Sequence, residues 1–297
     1  MAEIDSRIFD STFWEKAWSE AGRLRRDKTG IKSSSAESAR WDRRAGYFDS
    51  RVSSIEGSAR IEAAMCFLYD EHALHPSMKI LDVGCGNGSI TVRLAETARE
   101  VYALDHSEKM LAILQKKIMA AKLSNVRTEK GRWQDINLDE KGWYNYFDLS
   151  FASMSPGIDD AGTLRKLIAS SKKYCYLSTF AGRRDKARSE IWELVTGRPY
   201  LTADLDIVYP LNLLYTWGYR PSLRFHRHYR CTHLPPQDAA EELWQYIQAA
   251  TGKETATRET VEKYVKTGLK DGLFPYELEI YHGMLIWDKT VTAPVFA

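Results

Sequence analysis

The chain predicts a doubly wound α/β fold, an open and mostly parallel sheet with helices on both faces. Three observations carry that reading. From residue 78 onward, short apolar runs alternate with stretches of helical periodicity. The first of these runs ends in a glycine-rich turn that leads directly into a helix. Five strand-forming runs occur between residues 79 and 180, and parallel neighbours can be joined only by a segment that crosses the sheet face.

The elements follow in order. Residues 1–78 read as a helical cover: Phe13, Trp14, Ala17, Trp18 and Ala21 fall at helical spacing, and helical character returns over 38–48 and 59–74. Between them, 27–38 is polar, with Gly30 and three consecutive serines, and predicts a loop. Residues 79–83 predict a strand, 89–98 a helix, 100–104 a strand, and 107–121 a helix with Leu111, Leu114 and Ile118 on one face. A third strand is expected at 126–129, a fourth at 147–152, a helix at 162–170 and a fifth strand at 173–180. The tail departs from that rhythm. A strand at 222–232 is followed by two helices, 238–250 and 258–269, before a last strand at 278–287. The second helix carries Val261, Tyr264, Val265 and Leu269 on one stripe, and Asp238 with Glu241 has the spacing of a capping box at the start of the first. The predicted domains are therefore a helical cover at 1–78, a core at 79–235 and 274–297, and a helical insertion at 236–273.

Composition excludes several classes of protein. A 297-residue chain that is 44% hydrophobic builds a core, so it is not a disordered chain. Lys and Arg number 42 against 40 acids, a net +2 too small to imply nucleic acid as an obligatory partner. The most apolar windows, 174–180 and 211–215, are far shorter than the roughly 20 residues that span a bilayer. The N-terminus has acids where a signal peptide is basic, so a cytoplasmic protein is expected. Cys66, Cys85, Cys175 and Cys231 are too scattered for a disulfide framework and read as free thiols.

The chemistry lies in Ile80-Leu-Asp-Val-Gly-Cys-Gly-Asn-Gly88, after a predicted strand and before a helix. Gly84, Gly86 and Gly88 let the backbone turn sharply and keep side chains away from a ligand. The spacing is G-x-G-x-G with Asp82 two residues ahead, not the G-x-G-x-x-G of a dinucleotide site. Asp105 ends the second strand, 23 residues after Asp82, where a nucleotide site places an acid for the ribose hydroxyls. This pattern closely resembles the class I S-adenosylmethionine-dependent methyltransferases. The resemblance covers roughly residues 79 to 180. It implies a seven-stranded Rossmann-like sheet whose last strand is antiparallel, with S-adenosyl-L-methionine as cofactor and S-adenosyl-L-homocysteine as product.

The same resemblance implies site residues beyond the glycine turn and its Cys85. His106 and Met110 follow the ribose acid, and His106 is expected to line the adenosine pocket. Gly131-Arg-Trp-Gln-Asp135 is similar to the family segment that packs an aromatic residue on adenine, which implicates Trp133 and Gln134. Ser153 and Met154, in Phe147-Asp-Leu-Ser-Phe-Ala-Ser-Met-Ser-Pro156, fall in the fourth-strand motif that borders the reactive methyl group. Trp41, Arg44 and Tyr47 belong to a stretch similar to the helix that closes over the methionine end of the cofactor.

The acceptor is expected to be a small molecule. Members that methylate an amino group of a nucleic-acid base carry Asn/Asp-Pro-Pro-aromatic after strand four, whereas this chain has Ser153-Met-Ser-Pro-Gly157. Residues 181–235 are locally basic at +4, 236–279 acidic at −4, and eight aromatic residues lie between Trp192 and Tyr229. Such a segment suits a flat or anionic acceptor. His226, His228 and Tyr209 are candidate proton acceptors; on a strand His226 and His228 share one face and Cys231 and His233 the other, so no metal site is expected. The rival readings are a methyltransferase acting on RNA or protein, and a cofactor-binding regulator without transferase activity.

Overall fold

The computed structural model describes residues 6–29, 38, 41–43, 45, 49, 55–200, 206–251 and 255–294. Helix α1 (Ser11–Thr29) runs on through residues 27–29, where the sequence predicts a loop, because polar residues without Gly or Pro do not end a helix. Helix α2 (Ile55–Asp70) stops short of 74: His72 takes a left-handed φ of 53°, and Ala73 and Leu74 are apolar because they are buried.

Then the alternation sets in. It runs β1 (Lys79–Val83), α3 (Ser89–Ala95), β2 (Glu100–Asp105), α4 (Glu108–Ala120), β3 (Val126–Lys130), the short α5 (Leu138–Lys141), β4 (Phe147–Ser153), α6 (Ala161–Ser170) and β5 (Ser171–Asp185). Helices α7 (Lys186–Thr196) and α8 (Val208–Thr216) precede β6 (Ser222–Leu234); α9 (Pro236–Thr251) and α10 (Thr255–Thr267) precede β7 (Phe274–Asp288). Neither α7 nor α8 is among the elements the sequence predicts, since Pro210 and a run of large apolar side chains hide the period of α8. Asp238 does not cap α9, which begins two residues earlier at Pro236, a residue preorganised for the first helical turn.

The seven strands form one sheet in the order β3-β2-β1-β4-β5-β7-β6. β1 pairs in parallel with β2 and β4, β2 with β3, and β4 with β5, while β7 is antiparallel. Order reverses between β1 and β4, so the carboxyl ends of these two strands flank the crevice where such sheets bind ligands. Side chains alternate between two buried layers. Leu81, Val83, Leu177, Leu285 and Trp287 join α1, α6 and α8 on one face. Ile80, Leu149, Phe151, Tyr176, Met284 and Ile286 join α2 and α3 on the other.

The chain divides into two units. The first comprises Met1–Ala181, Asp204–His226 and His282–Ala297; the second comprises Gly182–Ala203 and Arg227–Tyr281. The second unit thus contains the helical pair expected at 236–273 together with α7 and the outer parts of β6 and β7. Its core is Ala187, Ile191, Leu243, Ile247, Val261 and Val265, with Phe274 and Tyr276. Asp185, 1% exposed, caps α7 by accepting the Arg188 amide at 3.3 Å and lies 3.3 Å from the Arg183 guanidinium.

Candidate cofactor and acceptor site

The glycine turn is built by its own backbone. Gly84 and Cys85 both donate to the Leu104 carbonyl, at 2.8 and 3.0 Å, which fastens the end of β1 to the end of β2. Gly84 has φ 71°, and a Cβ there would stand 2.2 Å from Ser155 Oγ. Gly88 has φ 75°, and a Cβ there would meet Leu114 Cδ1 at the same distance. No L side chain fits either position. Cys85 packs its thiol beside Leu111, Leu114 and Ala103.

Asp105 holds the turn in place. Its Oδ2 accepts the Gly86 amide at 2.9 Å and its Oδ1 the Ser107 amide at 2.8 Å, while the residue is 7% exposed. Burial raises its pKa above the usual carboxylate range, against the pull of those two amides. Asp82, 2% exposed, accepts Thr91 Oγ1 at 2.7 Å. Burial pushes Asp82 up to about 7; the Thr91 hydroxyl opposes this and the charge of Asp105 adds to it. Two buried acids therefore sit under one turn.

The helical cover brings two acids, Asp42 and Asp49, to the neighbourhood of the turn. Ser38, Trp41, Asp42, Arg43, Ala45 and Asp49 are helical. Asp42 Oδ1 accepts Ser107 Oγ at 2.6 Å, tying this segment to the N-terminus of α4. Asp49 Oδ1 accepts both Asn87 Nδ2 and Lys117 Nζ at 2.7 Å, and Lys117 also reaches Ser89 Oγ at 2.9 Å. Trp41 is half-buried. Arg44 and Tyr47 lie outside the described residues.

Other expected residues are held by the loop after β3 and the first turn of α4. Trp133, 3% exposed, donates its indole N–H to the Thr163 carbonyl at 3.1 Å and packs in the sheet core, so in this arrangement it anchors its loop. Gln134 reaches Asp159 only at 3.5 Å. Met110 is buried, and its amide is capped by Ser107 Oγ at 3.2 Å. Lys166, not singled out by the sequence, binds the carbonyls of Trp133, Gln134 and Ile136 at 2.8–2.9 Å and so fixes the loop after β3.

At the end of β4, Met154 adopts a left-handed φ of 52° while donating its amide to the Ser178 carbonyl at 2.9 Å. Strained backbone of this kind concentrates at functional sites. Ser153 Oγ lies 3.0 Å from Ser178 Oγ and accepts Arg60 NH1 at 3.3 Å.

The candidate proton acceptors stand on β6 and α8. His226 is on β6, the edge strand, stacked at 6.3 Å on His282 of β7. Three strand spacings separate β6 from β4, about 14 Å, too far for His226 to touch an atom held at the end of β4. His228 belongs to the second unit. Tyr209, on α8, packs against the core of the first unit. The aromatic-rich segment is divided as well: Tyr209, Trp217 and Tyr219 pack on that core, Trp192 meets Tyr200 in the second unit, and Phe225 and Tyr229 are exposed. Among the described residues, no three His, Cys, Asp or Glu side chains converge as a metal site and no helix is long and apolar enough to cross a membrane.

A mostly parallel sheet closed by an antiparallel strand, with an acid-flanked glycine turn at the point of strand reversal, defines the Rossmann-like methyltransferase fold. Residues 74–191 match the family model described as a methyltransferase domain. An uncharacterized protein of Haemophilus influenzae is 33% identical over 147 residues, 49% of this chain and 52% of that protein. A demethylmenaquinone methyltransferase of Shouchella clausii is 36% identical over 74 residues, 24% of this chain and 31% of that one. The chain thus matches about half or less of the length of these curated relatives. A Bacillus halodurans structure solved as a candidate methyltransferase superposes with a TM-score of 0.51 at 14% identity, covering 76% of this chain and 99% of that one; it shares the fold. Residues 74–191 thus match a methyltransferase domain, and the sheet has the fold of the class I S-adenosylmethionine-dependent methyltransferases.

The cofactor of that class fits the residues present. After its two amide bonds, each Asp105 oxygen retains a lone pair for a ribose hydroxyl. The buried Nε2 of His106, next along the chain, has no hydrogen-bond partner among the described residues. The turn at Gly84 admits no side chain that could obstruct the approach of a ligand.

Proposed function

We propose that this chain transfers a methyl group from S-adenosylmethionine to a small-molecule acceptor by in-line displacement. The observation that carries the proposal is the bracket of Asp105 on the Gly86 amide, one strand from β1 and two from the strained end of β4. Asp105 would hold the ribose, the Gly84–Gly86 backbone would lie along the cofactor, and Ser153 and Met154 would border the reacting centre. When bound, the cofactor supplies a sulfonium-activated methyl group. The protein's work is to place an acceptor lone pair about 3 Å from that carbon, opposite the sulfur, and to exclude water; such positioning contributes on the order of 7–11 kcal/mol. No covalent protein nucleophile is required.

The small-molecule reading is supported by the absence of Asn/Asp-Pro-Pro-aromatic after β4 and by relatives named for small acceptors, the demethylmenaquinone methyltransferase among them. Should the acceptor carry a proton, His226 could take it only through an extended acceptor or a relay, since it is remote from β4. Methyl transfer from labelled S-adenosylmethionine to a metabolite extract freed of protein and nucleic acid tests the proposal. Labelled small product is expected; no label in any small molecule, with label appearing only when the protein or RNA fraction is added back, would replace this reading with the rival one.

A further inference from the structure

Helix α2 presents Ala64, Phe67 and Leu68 to the sheet, and Arg60 occupies the same stripe one turn earlier. An arginine at such a position normally meets a carboxylate. This one does not. Among the described residues its only hydrogen bond is the 3.3 Å contact from NH1 to Ser153 Oγ, and no carboxylate there lies within ion-pair distance. Burial holds the guanidinium below the usual arginine value, and the one ionisable group close enough to act on it is Tyr176. Tyr176 is wholly buried, its hydroxyl lacks a well-formed hydrogen bond, and burial pushes its phenol up to about 12. The polar groups assembled here are thus a guanidinium, a phenol and two serine hydroxyls, a donor-rich set with no anion among them.

The set lies at Ser153 of β4 and at Tyr176 and Ser178 of β5, with Ser153 opposite Ser178 in the register. Asp105 ends β2, three strands from β5, or about 14 Å. A cofactor with its ribose at Asp105 would extend across β1 and present its methyl group toward β4. The acceptor would then lie beyond that, toward β5.

We propose that Arg60 determines acceptor specificity: its guanidinium takes a carboxylate or phosphate oxygen of the molecule to be methylated, with Ser153, Ser178 and Tyr176 as supporting donors. The inference rests on the methyltransferase reading above. An oxyanion would satisfy the fork of N–H donors that Ser153 alone leaves largely unused.

The test compares wild type with Arg60→Met, Arg60→Lys and a surface control, Arg127→Met, each saturated with S-adenosylhomocysteine. Inorganic phosphate, added at constant ionic strength to about 10 mM, is expected to raise the wild-type melting temperature by about 3 °C. The rise should persist in Arg127→Met, shrink in Arg60→Lys and vanish in Arg60→Met. Without phosphate, Arg60→Met should melt at or above the wild-type temperature, because it removes a half-buried cation that lacks a counter-charge among the described residues. A wild type indifferent to phosphate, or a phosphate effect that survives in Arg60→Met, would overturn the proposal. A second arm separates the acceptor from the cofactor's own carboxylate. Affinity for S-adenosylhomocysteine should stay within about twofold in Arg60→Met. A tenfold loss for S-adenosylhomocysteine but not for methylthioadenosine, which lacks the amino-acid group, would assign Arg60 to the cofactor instead. A wild type that binds neither nucleoside would sink the methyltransferase reading, while the phosphate arm still reports on Arg60.

Discussion

Replacing Asp105 with asparagine probes the joint between turn, helix and cofactor. The carboxylate accepts the Gly86 amide at 2.9 Å and the Ser107 amide at 2.8 Å, and each oxygen keeps a lone pair that a ribose hydroxyl would use. The side-chain amide in Asp105→Asn would keep one acceptor oxygen but turn an NH2 group toward the other backbone amide, and the negative charge would be lost. Charge-assisted bonds to the ribose contribute about 1.5–3 kcal/mol, so the Kd for S-adenosylhomocysteine should rise about 10- to 150-fold. Isothermal titration measures this directly, with circular dichroism to establish that the variant is folded. A pH series adds a second handle. Burial raises Asp105 above the ordinary carboxylate range in the free protein, whereas donation from ribose hydroxyls favours the ionised form. Wild-type affinity should therefore be full at high pH and fall as the acid protonates. The variant should lack that slope. A folded Asp105→Asn protein with unchanged affinity and an unchanged pH profile would refute the reasoning.

Three further outcomes follow from the same geometry. Gly84→Ala should cost about 1–3 kcal/mol of stability, read by urea denaturation, because the methyl would enter Ser155 Oγ at 2.2 Å on a backbone of φ 71°; Ser155→Gly in the same chain should recover only the steric part. Asp82 binds its proton more tightly folded, at about 7, than unfolded, near 3.8, so its contribution is present below about pH 4 and lost as pH rises to about 7, on the order of 4 kcal/mol at most. Asp82→Asn should accordingly melt higher than wild type at pH 8 and lose the advantage at pH 4; equal shifts at both would contradict the assignment. His226→Ala should leave cofactor affinity unchanged and turnover within about threefold, since the ring stacks on His282 at the sheet edge; a hundredfold fall would place it in a proton path after all.

How much of this is legible in the sequence depends on the kind of signal. β1, β2, β4 and β5 can be read because buried parallel strands are largely apolar runs, the edge strand β3 only from its place in the alternation, and the glycine turn because only glycine takes those φ angles without collision. Asp82 and Asp105 can be read from their spacing around that turn. Asp42, Asp49, Lys166 and Arg60 cannot, because their partners lie 30 to 93 residues away along the chain and nothing local marks them. In the segment from Trp41 to Phe48 the aromatic and basic residues stand out, yet it is the acid Asp42 that bonds to the N-terminus of α4. The aromatic run from Trp192 to Tyr229 reads as a single feature only because it is contiguous in sequence; folding distributes it between two units and an edge strand.

The central claim is that a cofactor bracketed by Asp105 donates its methyl group to a small molecule. Incubation with methyl-tritiated S-adenosylmethionine and a deproteinised, nucleic-acid-free extract, followed by size fractionation, tests it most directly. The account predicts label in a small product, formed mole for mole with S-adenosylhomocysteine and lost in parallel with cofactor binding in Asp105→Asn. Tight binding of S-adenosylhomocysteine with no label transferred to any small molecule would contradict it.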